Sequence, residues 1–444
     1  MNTTPFALQP LDSAQIARRR VAVVGGGLMG VATAAALARL GGERIQVDLY
    51  EMSEVGNEAA ASVDATRGFR HIYGEHAHYT RWAAEVLELW ADLERLSGRT
   101  LYEPCGNVWV VHAGAPRAMS ASAEKTFSSA DAMGFVRTSQ ATMRALGVPS
   151  ELLDGDEFRR RYPQFADPTI AAALLDTLGG RLFARESVLA LRAVGTQRGV
   201  RIHERSRAVE VIPTPDSCGI RFADGSSVEV DAMVLAVGGW SGTLLAGIDG
   251  GPNSGSRAEP TAAYEPSLEV SEQPVYYLAP PPDRAEEFAA GRFPLFVLAS
   301  SGLWGHPSCY GAVKMADGNP GRTLQRPEER RLTDDEYRQA TLDALIQQFP
   351  GLRDSALVQE RVCFYDNSPD GDFLMDQWDE QARLIVGYGF SGHGFKFGPL
   401  IGAKLAQYAL SGQRPADLVR FSKARFAVDP ELSRHTHRIQ GSQR

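Results

Sequence analysis

Residues 390 to 397, Phe-Ser-Gly-His-Gly-Phe-Lys-Phe, place two glycines, a histidine and a lysine directly before an apolar helical pattern. Gly392 and Gly394 let backbone N–H groups approach a ligand closely, and Lys396 adds a cation. Pro399 with Leu400, Ile401, Leu405, Tyr408 and Ala409 predicts an amphipathic helix whose N-terminus carries partial positive charge. Such a segment suits an anion and a flat ring. A second glycine-rich turn lies near the start of the chain, Gly25-Gly-Gly-Leu-Met-Gly30. It follows an apolar run at 21–24 and precedes an Ala/Leu-rich stretch to about Leu40 and another apolar run at 45–50, which reads as strand, turn, helix, strand. In that βαβ unit Gly25 makes the tight turn, Gly27 lets the backbone meet a pyrophosphate, and Gly30 lets helix and strand pack closely. Glu51 follows the second strand at about the distance where a carboxylate accepts hydrogen bonds from a ribose; Asp48 competes for that role but lies within the strand pattern. The unit is read as binding a dinucleotide, with NAD and FAD both open on these residues.

The 444 residues, 43% hydrophobic and 23% charged, suffice for two or three domains and a large core. A net charge of -8 without a long like-charge block argues against nucleic acid as the main partner. Arg18-Arg19-Arg20 reads as a solvated entry to the first strand. Cys105, Cys218, Cys309 and Cys363 show no C-x-x-C spacing and are too sparse for a disulfide framework, which favours a reducing compartment and implies no zinc site. Residues 1–17 lack a secretory signal pattern, no apolar run reaches membrane-spanning length, and the final Gly-Ser-Gln-Arg is not a peroxisomal tripeptide. A cytoplasmic protein is expected.

Several elements must position the two glycine-rich segments. Trp82, Val86, Leu87, Trp90 and Leu93 recur at helical spacing and predict a core-packed helix. From 201 to 240 the pattern is strand-rich: Val209 and Val211, Ile220 and Phe222, the Asp224-Gly225 turn, Val228 and Val230, then a buried run from Met233 to Val237 ending in Gly238-Gly239-Trp240. A glycine-ended strand returning so late predicts a discontinuous nucleotide domain. The Gly/Pro/Ser-rich stretch at 249–266 marks a boundary near 250. Thr333 and Glu336 predict a capping box for a helix through Leu342, Leu345, Ile346 and Phe349. Residues 384–390 supply a last strand leading into the 390–397 segment.

Three segments resemble the monomeric sarcosine oxidase branch of the D-amino-acid-oxidase-like flavoproteins, which includes N-methyltryptophan, pipecolate and fructosyl-amine oxidases. They are Val23-Val-Gly-Gly-Gly-Leu-Met-Gly30, Thr66-Arg-Gly-Phe-Arg-His-Ile-Tyr-Gly-Glu75, and Arg361-Val-Cys-Phe-Tyr365 followed by 390–397. The resemblance implies an α/β fold: a discontinuous Rossmann-like FAD domain (1–100, 185–250 and 355–444) and an α+β substrate domain on a largely antiparallel sheet (101–184 and 251–354). It selects FAD over NAD. Cys363 matches the cysteine that the family links to the flavin 8α-methyl through a thioether. Cofactor contacts are implied at Gly25, Gly27, Leu28, Met29, Gly30 and Glu51, and further along at Thr66, Arg67, Ala208, Gly238 and Trp240. The 390–397 segment adds Gly392, His393, Gly394, Phe395 and Lys396.

Amine oxidation needs a neutral nitrogen, so the substrate must be fixed by another group, such as its carboxylate. By resemblance Arg70 and Lys396 are the carboxylate-binding cations, one a planar fork and the other a point charge. Arg67 resembles the arginine that lies against the flavin, with Thr66 as its hydrogen-bonding neighbour, and Lys314 resembles the lysine that assists oxygen. Tyr365 and Trp304 line the substrate pocket. Trp304 stands where the family often has an aromatic hydroxyl, and Met315-Ala-Asp-Gly318 occupies the place of a family histidine. The expected reaction takes a secondary or cyclic α-amino acid to its imine and O2 to H2O2, in a monomer. The alternatives are a biosynthetic dehydrogenase of this fold with another electron acceptor, and a non-catalytic nucleotide-binding protein.

Overall fold

The computed structural model describes residues 18–114, 127–248, 268–318, 321–378 and 383–429. The boundary expected within 249–266 and both chain termini lie outside them. A six-stranded sheet is ordered Leu374–Gln377, Leu384–Tyr388, Ala232–Leu235, Arg19–Val24, Ile45–Tyr50 and Arg201–His203. Its strands are parallel except the Leu374–Gln377 edge, which runs antiparallel to Leu384–Tyr388. Parallel strands are buried on both faces, which is why 21–24 and 232–235 are continuous apolar runs rather than alternating ones. The Leu28–Gly41 helix covers one face and packs on the Gly398–Ser411 helix. At that crossing a Cβ on Gly402 would meet Ala32 backbone carbon at 2.6 Å, so glycine sets how closely the helices approach. The late return of Ala232–Leu235 beside Arg19–Val24 makes this unit discontinuous, as its glycine-ended run predicts.

A nine-stranded sheet contains Glu269–Ala279 paired with Ala312–Asp317, followed by Leu303–Cys309, Leu295–Leu298, Asn107–His112, Ile170–Asp176 and Ser150–Asp154. All pairings are antiparallel except Leu295–Leu298 with Asn107–His112. Phe158, Phe165, Phe288, Phe293, Phe296 and Phe349 form an aromatic core on one side of it. The Ala356–Asn367 strand pairs along Glu269–Ala279 in this sheet, so the segment from 355 onward does not enter the dinucleotide unit as one piece. Thr66–Phe69 pairs with Gly180–Phe183 in a small third sheet.

The Ala77–Ser97 helix buries Trp82, Val86, Trp90 and Leu93 as core, in the predicted phase. The cap of the Asp335–Gln348 helix differs from expectation: Asp334, not Thr333, accepts the Tyr337 N–H at 2.8 Å. Thr333 is drawn off because its hydroxyl donates to Glu360 Oε1 at 2.6 Å, leaving the acidic neighbour to satisfy the helix terminus. Among the described residues no helix is long and apolar enough to cross a membrane.

Candidate active site

A cavity of about 360 Å³ runs from the Gly25–Met29 turn past Glu51 and Ala208 to Gly238, Trp240, Gly392, Gly394 and Phe395. Gly25 adopts φ +107, and a Cβ there would stand 2.3 Å from Ala236 O, so both conformation and space demand glycine. Gly30 does not line the cavity; its role is packing, since a Cβ would meet Gly25 O at 1.8 Å. The Leu28–Gly41 helix begins at Gly27 without a side-chain cap. From a separate segment Ser62 Oγ accepts the Leu28 N–H at 3.2 Å, and Gly27, Leu28 and Met29 line the cavity, so the helix start adjoins it in an arrangement suited to a pyrophosphate.

Glu51 is buried, with Oε2 accepting from Gly26 N at 2.7 Å and Oε1 from Ser53 N at 2.9 Å. Burial raises its pKa while these backbone bonds oppose the rise. Asp48 is bound instead by Arg201 and His203, at 2.6 and 2.8 Å, which removes it from competition for a ribose. Glycine turn, helix start at the cavity and carboxylate together fit the adenosine and pyrophosphate of FAD.

A second cavity of about 240 Å³ adjoins the first, and Arg67, Tyr365 and Gly392 line both. Lys314 and Trp304 project into it from neighbouring strands, with the Lys314 ammonium 5.3 Å from the Trp304 ring centre. Lys314 is fully enclosed by protein, and its Nζ donates to Asp64 Oδ2 at 2.6 Å and to Thr66 O at 2.9 Å. Asp64 also accepts from Arg67 and from the Tyr277 hydroxyl. Burial would raise the Asp64 pKa, but Lys314 and Arg67 hold it well below the usual carboxylate range. The cluster therefore carries two cations and one anion. Burial lowers the Lys314 pKa despite Asp64. Cys363 Sγ lies 3.6 Å from Arg67 Nη2 and 3.9 Å from Asp64 Oδ2. Thr66 lines neither cavity; its hydroxyl lies 2.8 Å from His306 Nδ1.

Arg70 and Lys396 converge on Tyr73. Lys396 Nζ donates to Tyr73 OH at 2.9 Å and to His393 O at 2.7 Å, while the Arg70 guanidinium sits 4.1 Å from the Tyr73 ring centre. Trp90 Nε1 anchors the segment by donating to Lys396 O at 2.8 Å. His393 lies on the second cavity, between Gly371 O at 3.1 Å and Tyr73 OH at 3.4 Å. Burial first, then the Arg70 charge, pushes the Lys396 pKa well below its ordinary value. A bound carboxylate supplies the missing counter-charge and raises that pKa. Binding of a carboxylate at a pH between the unbound and bound values is thus expected to take up a proton, with affinity falling as pH rises through that window. Calorimetry in buffers of different ionisation enthalpy measures the uptake, and Lys396→Met is expected to abolish it.

Asp64, Tyr73 and His306 were not anticipated from the sequence. Asp64 stands three residues before Arg67, a spacing that offers a carboxylate partner; Tyr73 lies inside the 66–75 segment; His306 shares strand parity with Trp304.

Residues 20–408 match the family model described as FAD dependent oxidoreductase. The monomeric sarcosine oxidase of Bacillus sp. (strain B-0618) is 26% identical over 425 residues, covering 94% of this chain and 98% of that protein. The N-methyl-L-tryptophan oxidase of Yersinia pestis (strain Pestoides F) is 24% identical over 409 residues, covering 91% and 98%. In fold, the chain superposes on L-proline dehydrogenase from P. horikoshii with a TM-score of 0.75 at 17% identity, covering 93% of this chain and 99% of that one. With two adjoining cavities built from the matched region, the chain belongs to the FAD-dependent oxidoreductase family and is an oxidoreductase.

Proposed function

We propose that the protein oxidises a secondary or cyclic α-amino acid, of the sarcosine, N-methyl or proline/pipecolate type, to its imine and reduces O2 to H2O2. The observation that carries the reading is the adjoining of the two cavities at Arg67, Tyr365 and Gly392, with paired cations in the second. FAD supplies the two-electron acceptor, held by the glycine turn, Glu51 and the 390–397 segment and attached at Cys363. Arg70 and Lys396 bind the substrate carboxylate and orient the amine-bearing carbon towards the shared wall. Arg67 and Lys314 disfavour a protonated amine beside them, and Lys314 stabilises negative charge as oxygen accepts its first electron. The enzyme is read as a cytoplasmic monomer.

A panel of N-methyl, cyclic and primary amino acids, followed by cofactor bleaching without oxygen and peroxide release with it, tests the reading. Bleaching by a secondary or cyclic member with stoichiometric peroxide is expected. Bleaching without peroxide would move the electrons to another acceptor, and no bleaching by any member would end the proposal. Trp304 separates substrate choice from cofactor retention: Trp304→Phe is expected to alter relative kcat/KM across the panel by about tenfold, the scale of a changed pocket contact, with flavin content unchanged.

A further inference from the structure

His306 brings another polar group to the second cavity. It is buried beside Trp304, with ring centres 5.4 Å apart, and lines the cavity. Its Nδ1 is engaged with Thr66 Oγ1, whereas Nε2 has no hydrogen-bond partner among the described residues. Nε2 lies over Gly68, where an added Cβ would stand 3.6 Å from it. Gly68 falls between Arg67 and Arg70 in the chain, and both arginines line the same cavity as His306. Burial first, then Lys314, holds the imidazole pKa well below its ordinary value; Arg67 and Arg181 act in the same sense and Asp64 against it. The ring is therefore neutral near pH 7, with one donor nitrogen and one acceptor.

We propose that His306 Nε2 accepts the N–H of the substrate amine, with Nδ1–H donated to Thr66 Oγ1, so that the site selects amines keeping an N–H in their free-base form. This rests on the amine-oxidation reading. A neutral secondary amine offers one N–H and one lone pair. Binding the N–H fixes the nitrogen's configuration and leaves its lone pair available for oxidation. The Asp64 carboxylate does not compete for that N–H, since Arg67, Lys314 and Tyr277 already occupy it. A tertiary amine would instead press an alkyl group against an acceptor left unsatisfied.

Anaerobic flavin reduction by L-proline and N-methyl-L-proline, compared in wild type, His306→Leu and His306→Gln, tests the assignment. Wild type is expected to favour L-proline by about tenfold or more, the worth of one buried hydrogen bond. The preference should shrink to within about threefold in His306→Leu. His306→Gln, which offers a side-chain carbonyl in place of the ring nitrogen, should keep a ratio above that of leucine. A ratio unchanged in His306→Leu, or equal in the two variants, overturns the proposal. Calorimetry provides a readout independent of turnover. The affinity of 2-aminoisobutyrate, which has no oxidisable C–H beside nitrogen, relative to that of pivalate should fall in His306→Leu. An unchanged relative affinity also overturns the proposal. If no amine reduces the cofactor, the oxidase reading fails, while the calorimetric comparison still decides the role of His306.

Discussion

Acid precipitation of the holoprotein is expected to give a yellow pellet, and the same treatment of Cys363→Ser a colourless one. Cys363 is buried midway along a strand held on one side by Glu269–Ala279, which restricts its sulfur to a narrow set of positions. The sulfur is the nucleophile for the linkage, and the Arg67 guanidinium lies 3.6 Å from it. Serine keeps the shape but replaces the sulfur with a much weaker oxygen nucleophile. The loss of covalent flavin should be complete rather than graded. Flavin reduction should slow too, since the thioether withdraws electron density from the ring and raises its potential. A colourless wild-type pellet would sink the linkage and leave the rest of the cofactor site standing.

Lys314→Met is expected to slow reoxidation by oxygen about 100-fold or more, the scale seen when one pre-organised electrostatic contact is removed. Anaerobic reduction by substrate should change far less. The effect arises from the charge of the Asp64 cluster. With Lys314 and Arg67 both charged, one positive charge remains uncompensated in a buried site; methionine leaves Arg67 and Asp64 to neutralise each other. Oxygen then takes its first electron without the cluster's net positive charge to stabilise the product. Stopped-flow measurement of each half-reaction separates the steps, and equal reoxidation rates in variant and wild type would exclude Lys314 from oxygen chemistry.

Local rules carried the βαβ unit, the Ala77–Ser97 core helix and the helix after Pro399 into the structure nearly unchanged. In each, apolar period and glycine chemistry agree with the final packing. The pattern failed where long-range partners decide. Thr333 looked like a cap but is claimed by Glu360, a residue on the distant Ala356–Asn367 strand. That strand itself contains the motif read as part of the nucleotide unit, yet its backbone pairs with Glu269–Ala279. Arg67, Arg70 and Lys314 are legible through resemblance and Lys396 also through its glycine-rich segment, while Asp64 and His306 emerge only when separate segments meet.

One junction between the sheets constrains how the site is reached. Asp366 accepts the Gly389 amide on its carboxylate and the Ser391 amide on its main-chain oxygen, each at 3.0 Å, and Ser368 N donates to Ser391 Oγ at 3.1 Å. These bonds rivet the end of the Ala356–Asn367 strand to the turn that opens the 390–397 segment. Opening the site by swinging one sheet away from the other would break all of them at once. Motions of side chains and surface loops leave them intact, so such motions open a way to the pocket at a lower cost than a clamshell movement about this junction.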